Sequence, residues 1–582
     1  MSLAREKLSA RARAIGLVGT AVLLSIFAWW PMLWAYPNTQ GGDGPPYHKT
    51  LEAARVSVVR FHELPLWNPF ECGGLPLWDN PQAPVIAPLV LPMFLIGTTA
   101  TMYLWYVLHS ALGFLSMWIL ARTELRLSRE ATFVASAAWA FSGFHQQHYS
   151  GGHFTFVPFL YFPLAIVLWR RAEDDLRMAV GLGLLVAWMI FEGGVYPLPH
   201  LAIFLAAEAL MRAWPPRRLV RIVRAGLVVL VVGFLVGACR FLPVMDQLRA
   251  HTRPIGVETD SLQWETLKAM FLARAHERGA SGQQYVWPEY GTYFGPILVA
   301  LAVVGILSCG LENVWLLALL LLGAALMAGH AGRFAPWHIL KGHVFPFREM
   351  RVPSRFRVEV SMMLAVFMGM GTDRLASLTR RWFRQPPWAD GFRMVLVSLA
   401  LIGVGDMLGV GITWFDVCFT NPPAVRSVPS ARLYYGGPDL ASMIDEPQQN
   451  RGRLACWDEW GFGAGAPLWE GDLPQARPVG TDAIVEVANR TANTFTIDVD
   501  VRAPSRILVN SSYDRGWRTD VGISVEQDKQ LAIDLPPGRH RVHVKYWPHG
   551  LTLGLSLTTL GLAGVALFFV RDRKKQRERA TA

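Results

Sequence analysis

An aspartate between two glycines, Gly42-Asp43-Gly44, opens a polar loop running from Gly41 to Pro81, just past the first long apolar segment. A carboxylate there can take a proton from a hydroxyl or hold a cation, and its glycine neighbours permit unusual backbone angles and close approach. The same Gly-Asp-Gly-Pro-Pro string also reads as a tight turn. Glu71, Asp79 and Glu192 fall on the same polar face. Asp79 and Glu192 stand as alternates for a second acid, against the plainer reading of interfacial charges that reach water cheaply. Arg348, Arg351, Arg355 and Arg357 crowd into eleven residues, Phe347 to Arg357. Arginine's planar fork suits phosphate oxygens, although lipid headgroups or Glu349 are alternative partners. His145, His148 and His153 share one Gly-rich loop. A metal is imaginable there, but a hydrogen bond from His153 to phosphate or sugar is the simpler role. Trp67 and Trp78 occupy near-copies of one phrase, Leu64-Pro-Leu-Trp-Asn-Pro69 and Leu75-Pro-Leu-Trp-Asp-Asn-Pro81. Each could stack on a sugar ring or belong to an interfacial aromatic belt.

The elements that must position these groups are membrane spans. The chain of 582 residues is 52% hydrophobic and 17% charged, a composition of polytopic membrane proteins. A crossing needs roughly 20 apolar residues. Candidates lie at about 15–36, 99–121, 130–146, 154–170, 176–193, 197–213, 222–243, 293–309, 311–329, 355–374, 394–414 and 549–570. The first is read as a retained span, because no small-x-small cleavage site follows it. Val85–Gly97 is apolar but short and broken by Pro88 and Pro92, so it suits a re-entrant or interfacial piece. With that segment excluded, almost every basic cluster falls on one side: Arg122/Arg126/Arg129, Arg170/Arg171/Arg177, Arg212 to Arg224, Arg374 to Arg384, and the tail from Arg571. The positive-inside rule then gives twelve crossings with both ends cytoplasmic. The net charge of +11 is accordingly a topology signal facing anionic lipids, not a nucleic-acid footprint.

Residues 415–548 carry alternating segments at 484–487, 495–501, 507–509 and 541–546, separated by Gly and Pro. They predict a small antiparallel β-sandwich outside the membrane. Three parts follow: a membrane domain over 1–414 with its first outer loop at 37–84, the β-rich domain, and a membrane anchor with a basic tail over 549–582. Five cysteines are too few for a disulfide framework and lack zinc-like spacing. Cys72, Cys418 and Cys456 face the outer side, where a Cys418–Cys456 bridge is conceivable.

At the C-terminus Gly516-Trp517, Leu535-Pro-Pro-Gly538, His540, Val542, Tyr546 and Pro548 are followed by a last span. Towards the N-terminus stand Gly42-Asp43, Leu64–Pro69, Gly73/Gly74 and Pro76, then Phe141-Ser-Gly143 with His153, and Arg351-Val-Pro-Ser-Arg355. In this order the motifs resemble those of the YfhO-like bacterial membrane proteins. Such proteins are similar to the GT-C superfamily of polytopic glycosyltransferases, which use lipid-phosphate sugar donors and place an acid in the first outer loop. The resemblance implies a transferase, inverting if the acceptor hydroxyl displaces the donor directly. It would move a sugar from a polyprenyl-phosphate donor to an envelope glycan or lipid on the outer face of a bacterial inner membrane. Asp43 is then the base or cation ligand, with Asp79 and Glu192 as alternates. Arg348, Arg351, Arg355 and His153 meet the phosphate, and Trp67 and Trp78 the sugar. A divalent cation is left open. A flippase for lipid-linked sugars and a non-catalytic envelope-assembly factor are the competing classes. The spans hold few ionisable groups and no evident inverted repeat, which weighs against transport.

Overall fold

The computed structural model describes residues 2–251, 260–275, 283–344, 347–382, 386–419, 428–436, 443–457, 465–480 and 483–581. Among the described residues six helices are long and apolar enough to cross a membrane: Arg11–Ala28, Thr98–Thr123, Phe154–Ala172, Pro216–Ala250, Pro387–Asp416 and Leu551–Arg579. The chain is a multi-pass helical membrane protein. The other six expected crossings are short, broken or charged. Leu176–Phe191 and Pro197–Arg212 have 16 residues each. The segment from Arg129 breaks at Phe141-Ser142 before the short helix Gly143–Ser150. Pro296–Leu307 and the helical turns that follow meet at 113°. Both ends of that bent pair tie back to one segment, 261–271, through Gly295 N to Phe271 O and a Ser261–Gly329 bridge. Arg357–Trp382 is long but carries Glu359, Asp373 and Arg374. Val85–Gly97 holds only a turn at Pro88–Val90 and the four-residue helix Met93–Ile96. Proline and glycine, which break the i→i−4 ladder, sit at most of these interruptions.

Basic loops gather at one end of the bundle. Glu173 binds Arg212 and Arg218, Asp174 binds Arg221, and Glu124 binds Arg170 and Arg171. Asp572 of the final helix lies 3.8 Å from Arg177. Arg384 lies outside the described residues. The polar loop and all the sheets occupy the opposite end.

There two four-stranded sheets face each other. One runs Ile523–Gln527, Gln530–Leu535, Ser505–Ser512, Ala476–Pro478; the other runs Ala483–Arg490, Thr494–Val501, Gly538–Tyr546, Trp517–Thr519. Every pairing is antiparallel. Thr494–Val501 buries every second residue, the signature of one face packed and one wet. Phe495, Ile497, Val499, Ile507, Val509, Ile533, Val542 and Val544 form the core between the sheets. The polar loop docks on this domain. Trp67 N donates to Asn493 Oδ1, Ser512 N to Gly73 O, and Tyr435 OH to Gly73 O.

That docking corrects the cysteine expectation. The disulfide joins Cys72 to Cys456, and Cys418 is free, its thiol donating to Phe415 O at 2.9 Å. Backbone bonds from Arg453 N to Phe70 O and from Cys72 N to Ala455 O lay two distant segments side by side. Linear spacing does not register that pairing.

Candidate active site

Asp43 is placed by a glycine-on-glycine contact. Gly42 adopts φ +59°, and a Cβ there would stand 2.7 Å from Gly151 O; a Cβ on Gly152 (φ +79°) would stand 2.3 Å from Gly44 N. Only bare backbone lets the two loops approach this closely. Asp43 N donates to Gly151 O at 2.9 Å, and Asp43 stands just before the Gly44–Val59 helix, which has prolines in its first turn, with its carboxylate making no capping bond.

The result sets the Asp43 carboxylate 3.4 Å from His153 Nε2. Behind it, His153 Nδ1 meets His148 Nδ1 at 2.7 Å, and His148 Nε2 meets Arg357 Nη2 at 2.9 Å. Arginine can only donate, so this order fixes the protons. His148 accepts at Nε2, carries its hydrogen on Nδ1, and donates to His153 Nδ1. The hydrogen of His153 therefore sits on Nε2, facing Asp43. Burial lowers the His153 pKa, and Asp43 and Glu289 only partly offset this, in keeping with a neutral ring. Arg357 is wholly buried and anchored by Glu289 O, Gly291 O and Pro288 O.

Asp43 and His153 line a cavity of about 600 Å³, together with Glu71, Tyr196, Glu289, Arg351, Arg355 and Trp457. Arg355 lies over the rings of Phe156 and Tyr196, at 5.0 and 4.7 Å. Its Nε donates to Glu289 Oε2 at 2.9 Å and its Nη2 to Glu289 Oε1 at 2.5 Å. Burial alone would raise the Glu289 pKa, but the Arg355 charge and hydrogen bonds overcome it and hold that carboxyl down at about 2. One edge of Arg355 is thus already committed to a carboxylate. Arg351 stands 5.8 Å from the centre of the Tyr285 ring. Glu71 is bound by the buried Lys49 at 3.1 Å and by Trp457 N.

Among the sequence candidates, Asp43, His153, Arg351 and Arg355 share this cavity, and the others lie elsewhere. Asp79 is buried at the junction with the β-domain. Gln247 Nε2 donates at 2.9 Å both to Asp79 and to Asp514, and Tyr546 OH donates to Asp79 at 3.1 Å. Burial and the neighbouring Asp514 push its pKa up to about 7. Glu192 is buried as an acceptor for His109, Tyr161 and Trp188. Arg348 is exposed, outside the cavity wall. Trp67 and Trp78 are 1% and 8% exposed, so neither offers a face to a sugar. Trp67 packs on Trp517 and Tyr546, and Trp78 donates to Cys239 O. The large aromatics that a loop needs to seal onto a sheet domain look, in sequence, like sugar platforms.

Glu289, Tyr196, His148 and Arg357 are the site residues that pattern reading passes over. Arg357 belongs to the visible arginine run and His148 to the visible histidine cluster; only their junction was hidden. Glu289 carries no local signal. Among the described residues no group of three or more His, Cys, Asp or Glu is arranged to hold a metal.

No family model matches the chain, and no curated protein sequence does. Solved structures with a related arrangement include the arabinofuranosyltransferase AftD from Mycobacteria, at 13% identity and TM-score 0.48, covering 90% of this chain and 40% of that one. A mutant form of it gives 14% and 0.44, covering 92% and 42%. ArnT from Cupriavidus metallidurans, bound to undecaprenyl phosphate, gives 14% and 0.41, covering 78% and 88%. The chain spans about two fifths of the length of AftD.

Proposed function

We propose that the protein is an integral-membrane glycosyltransferase of the GT-C kind, moving a sugar from a polyprenyl-phosphate donor to an envelope glycan or lipid at the outer membrane face. The observation that carries this reading is one cavity wall holding an acid that can take a proton and, with it, two arginines suited to phosphate. In this reading the acceptor hydroxyl oxygen attacks the anomeric carbon as the bond from that carbon to the phosphate oxygen breaks. Asp43 accepts the hydroxyl proton, a role worth about 10²–10⁴-fold. The electron pair leaves with the polyprenyl phosphate, whose growing charge meets Arg351 and the side of Arg355 turned away from Glu289. Direct displacement inverts the anomeric centre.

His153 serves Asp43 as a positioning residue. Its Nε2 hydrogen faces the carboxylate, which keeps Asp43 an acceptor and orients one oxygen. Asp43 is 38% exposed at its side chain, so the captured proton can pass to water. The motif order shared with YfhO-like proteins supports the same class. The purified protein, given a panel of polyprenyl-phosphate sugars with and without chelator, is expected to release polyprenyl phosphate and label an acceptor from one donor. Movement of intact donor across a vesicle bilayer, with no cleavage, would favour a flippase instead.

A further inference from the structure

The Gly44–Val59 helix separates two cavities. At 100° per residue, Pro46, Tyr47 and Thr50 face the Asp43 cavity, while His48, Glu52, Arg55 and Val59 face the opposite way. That opposite face lines a second cavity of about 840 Å³, closed by Arg60, the start of the Thr98–Thr123 helix, and Gln448. We propose that this second cavity binds the phosphate headgroup of a membrane lipid, with Arg55 and Arg60 at the phosphate and the lipid chain leaving over an apolar rim into the bilayer. The inference does not depend on the transferase reading.

Three observations carry it. The wall holds two arginines against one carboxylate: Glu52 Oε1 accepts from Arg55 at 3.0 Å, and Oε2 accepts from Thr98. Arg60 donates to the carbonyls of Pro447 and Gln448, at 3.1 and 2.8 Å. Among the described residues no carboxylate lies within ion-pair distance of it, and Glu52, whose charge acts on it, is already paired with Arg55, so its positive charge has no direct partner. Secondly, His48 is 2% exposed and bonds Thr99 through Nε2 at 2.9 Å, but its Nδ1 has no partner among the described residues. A buried polar atom without a partner costs free energy unless a ligand or water satisfies it.

The third observation names the source of the phosphate. Tyr36, Val59 and Ile96 line the cavity yet stand 54%, 46% and 52% exposed. Their neighbours Leu33, Trp34, Leu91 and Leu95 are more than half exposed as well. Leu33, Trp34 and Tyr36 follow the first membrane helix, on and just after the short helix Pro31–Ala35; Leu91, Leu95 and Ile96 belong to the Val85–Gly97 segment, and Val59 ends the Gly44–Val59 helix. An exposed aromatic and aliphatic belt at that level meets lipid. A cationic cavity opening through such a belt is fitted to an anionic headgroup whose chain stays in the membrane.

The test is native mass spectrometry of the full-length protein titrated with phosphatidylglycerol or phosphatidylcholine. Arg60→Gln removes the charge that has no direct partner. Ala100→Phe fills the cavity with no change of charge, which separates lost binding from lost folding. Wild-type protein is expected to hold phosphatidylglycerol in preference to phosphatidylcholine. Each variant should weaken it by about tenfold, Arg60→Gln through the loss of one charged contact and Ala100→Phe by filling the space the headgroup needs, while Arg351→Gln in the first cavity leaves it unchanged. Equal binding of both lipids would overturn the proposal. So would loss in Arg351→Gln with retention in both other variants, and so would binding of inorganic phosphate as tight as that of the lipid.

Discussion

Replacing Glu289 by glutamine tests the electrostatics of the cavity from two sides. The Glu289 side chain is 8% exposed and that of Arg355 10%, so the pair is screened little by water. Its carboxyl falls from an ordinary 4.5 to about 2, which is worth roughly 3 kcal/mol of folding stability at neutral pH. Removing one member of a buried ion pair costs about 3–5 kcal/mol by a separate route, and the two figures agree. A depressed carboxyl pKa contributes stability that is fully present above 4.5 and lost as pH falls towards 2. Thermal unfolding of wild type and Glu289→Gln in detergent should therefore show a large gap at pH 6 that has roughly halved at pH 3. The variant also frees the committed edge of Arg355, so a polyprenyl-phosphate ligand should bind it more tightly than wild type and restore part of the lost stability. A gap that ignores pH would refute the ion-pair argument. Weaker ligand binding by the variant would remove Arg355 from the phosphate site.

At the β-domain junction the sign reverses. The raised pKa of Asp79 means that the folded protein keeps a proton the unfolded chain releases, so stability falls as pH rises from about 4 to 7. Asp79→Asn should melt above wild type, by a margin that widens between pH 5 and 7; a constant margin would sink this account of the acid pair. Cys456→Ser should expose Cys72 to thiol alkylation under non-reducing conditions, whereas Cys418→Ser should not. The bridge spans 384 residues, so by chain entropy its loss costs up to about 6 kcal/mol of stability. Trp67→Ala should lower thermal stability by about 3–5 kcal/mol, as truncation of a buried tryptophan does, and leave the KM of the proposed transfer unchanged. A KM effect with full stability would return Trp67 to the sugar.

Much of the helical architecture is legible in sequence because membrane burial writes long apolar runs, and alternation marks the strands around Phe495–Val501 as clearly. The count of spans is harder. Pro296–Leu307 has apolar composition but is too short to cross alone, and only with the bent continuation to Met327 does it reach the length of a span, a distinction composition cannot make. In the cavity, Asp43 and the arginines were visible because charge outside a span is conspicuous. Glu289 was not, since its meaning comes wholly from Arg355, 66 residues away. Asp79, Trp67 and Trp78 misled for a related reason. A loop that must seal onto a second domain spends acids and aromatics on that contact, and those are the residue types a sugar site would use.

The central claim is that Asp43 is the base of a transfer reaction. The direct measurement is turnover of a polyprenyl-phosphate sugar by purified Asp43→Asn protein, with donor binding measured on the same sample. Asparagine keeps the shape and the backbone bond to Gly151 but cannot take the proton. The account predicts a fall in kcat of about 10²-fold or more with donor still bound. Near-normal turnover by that variant would contradict it.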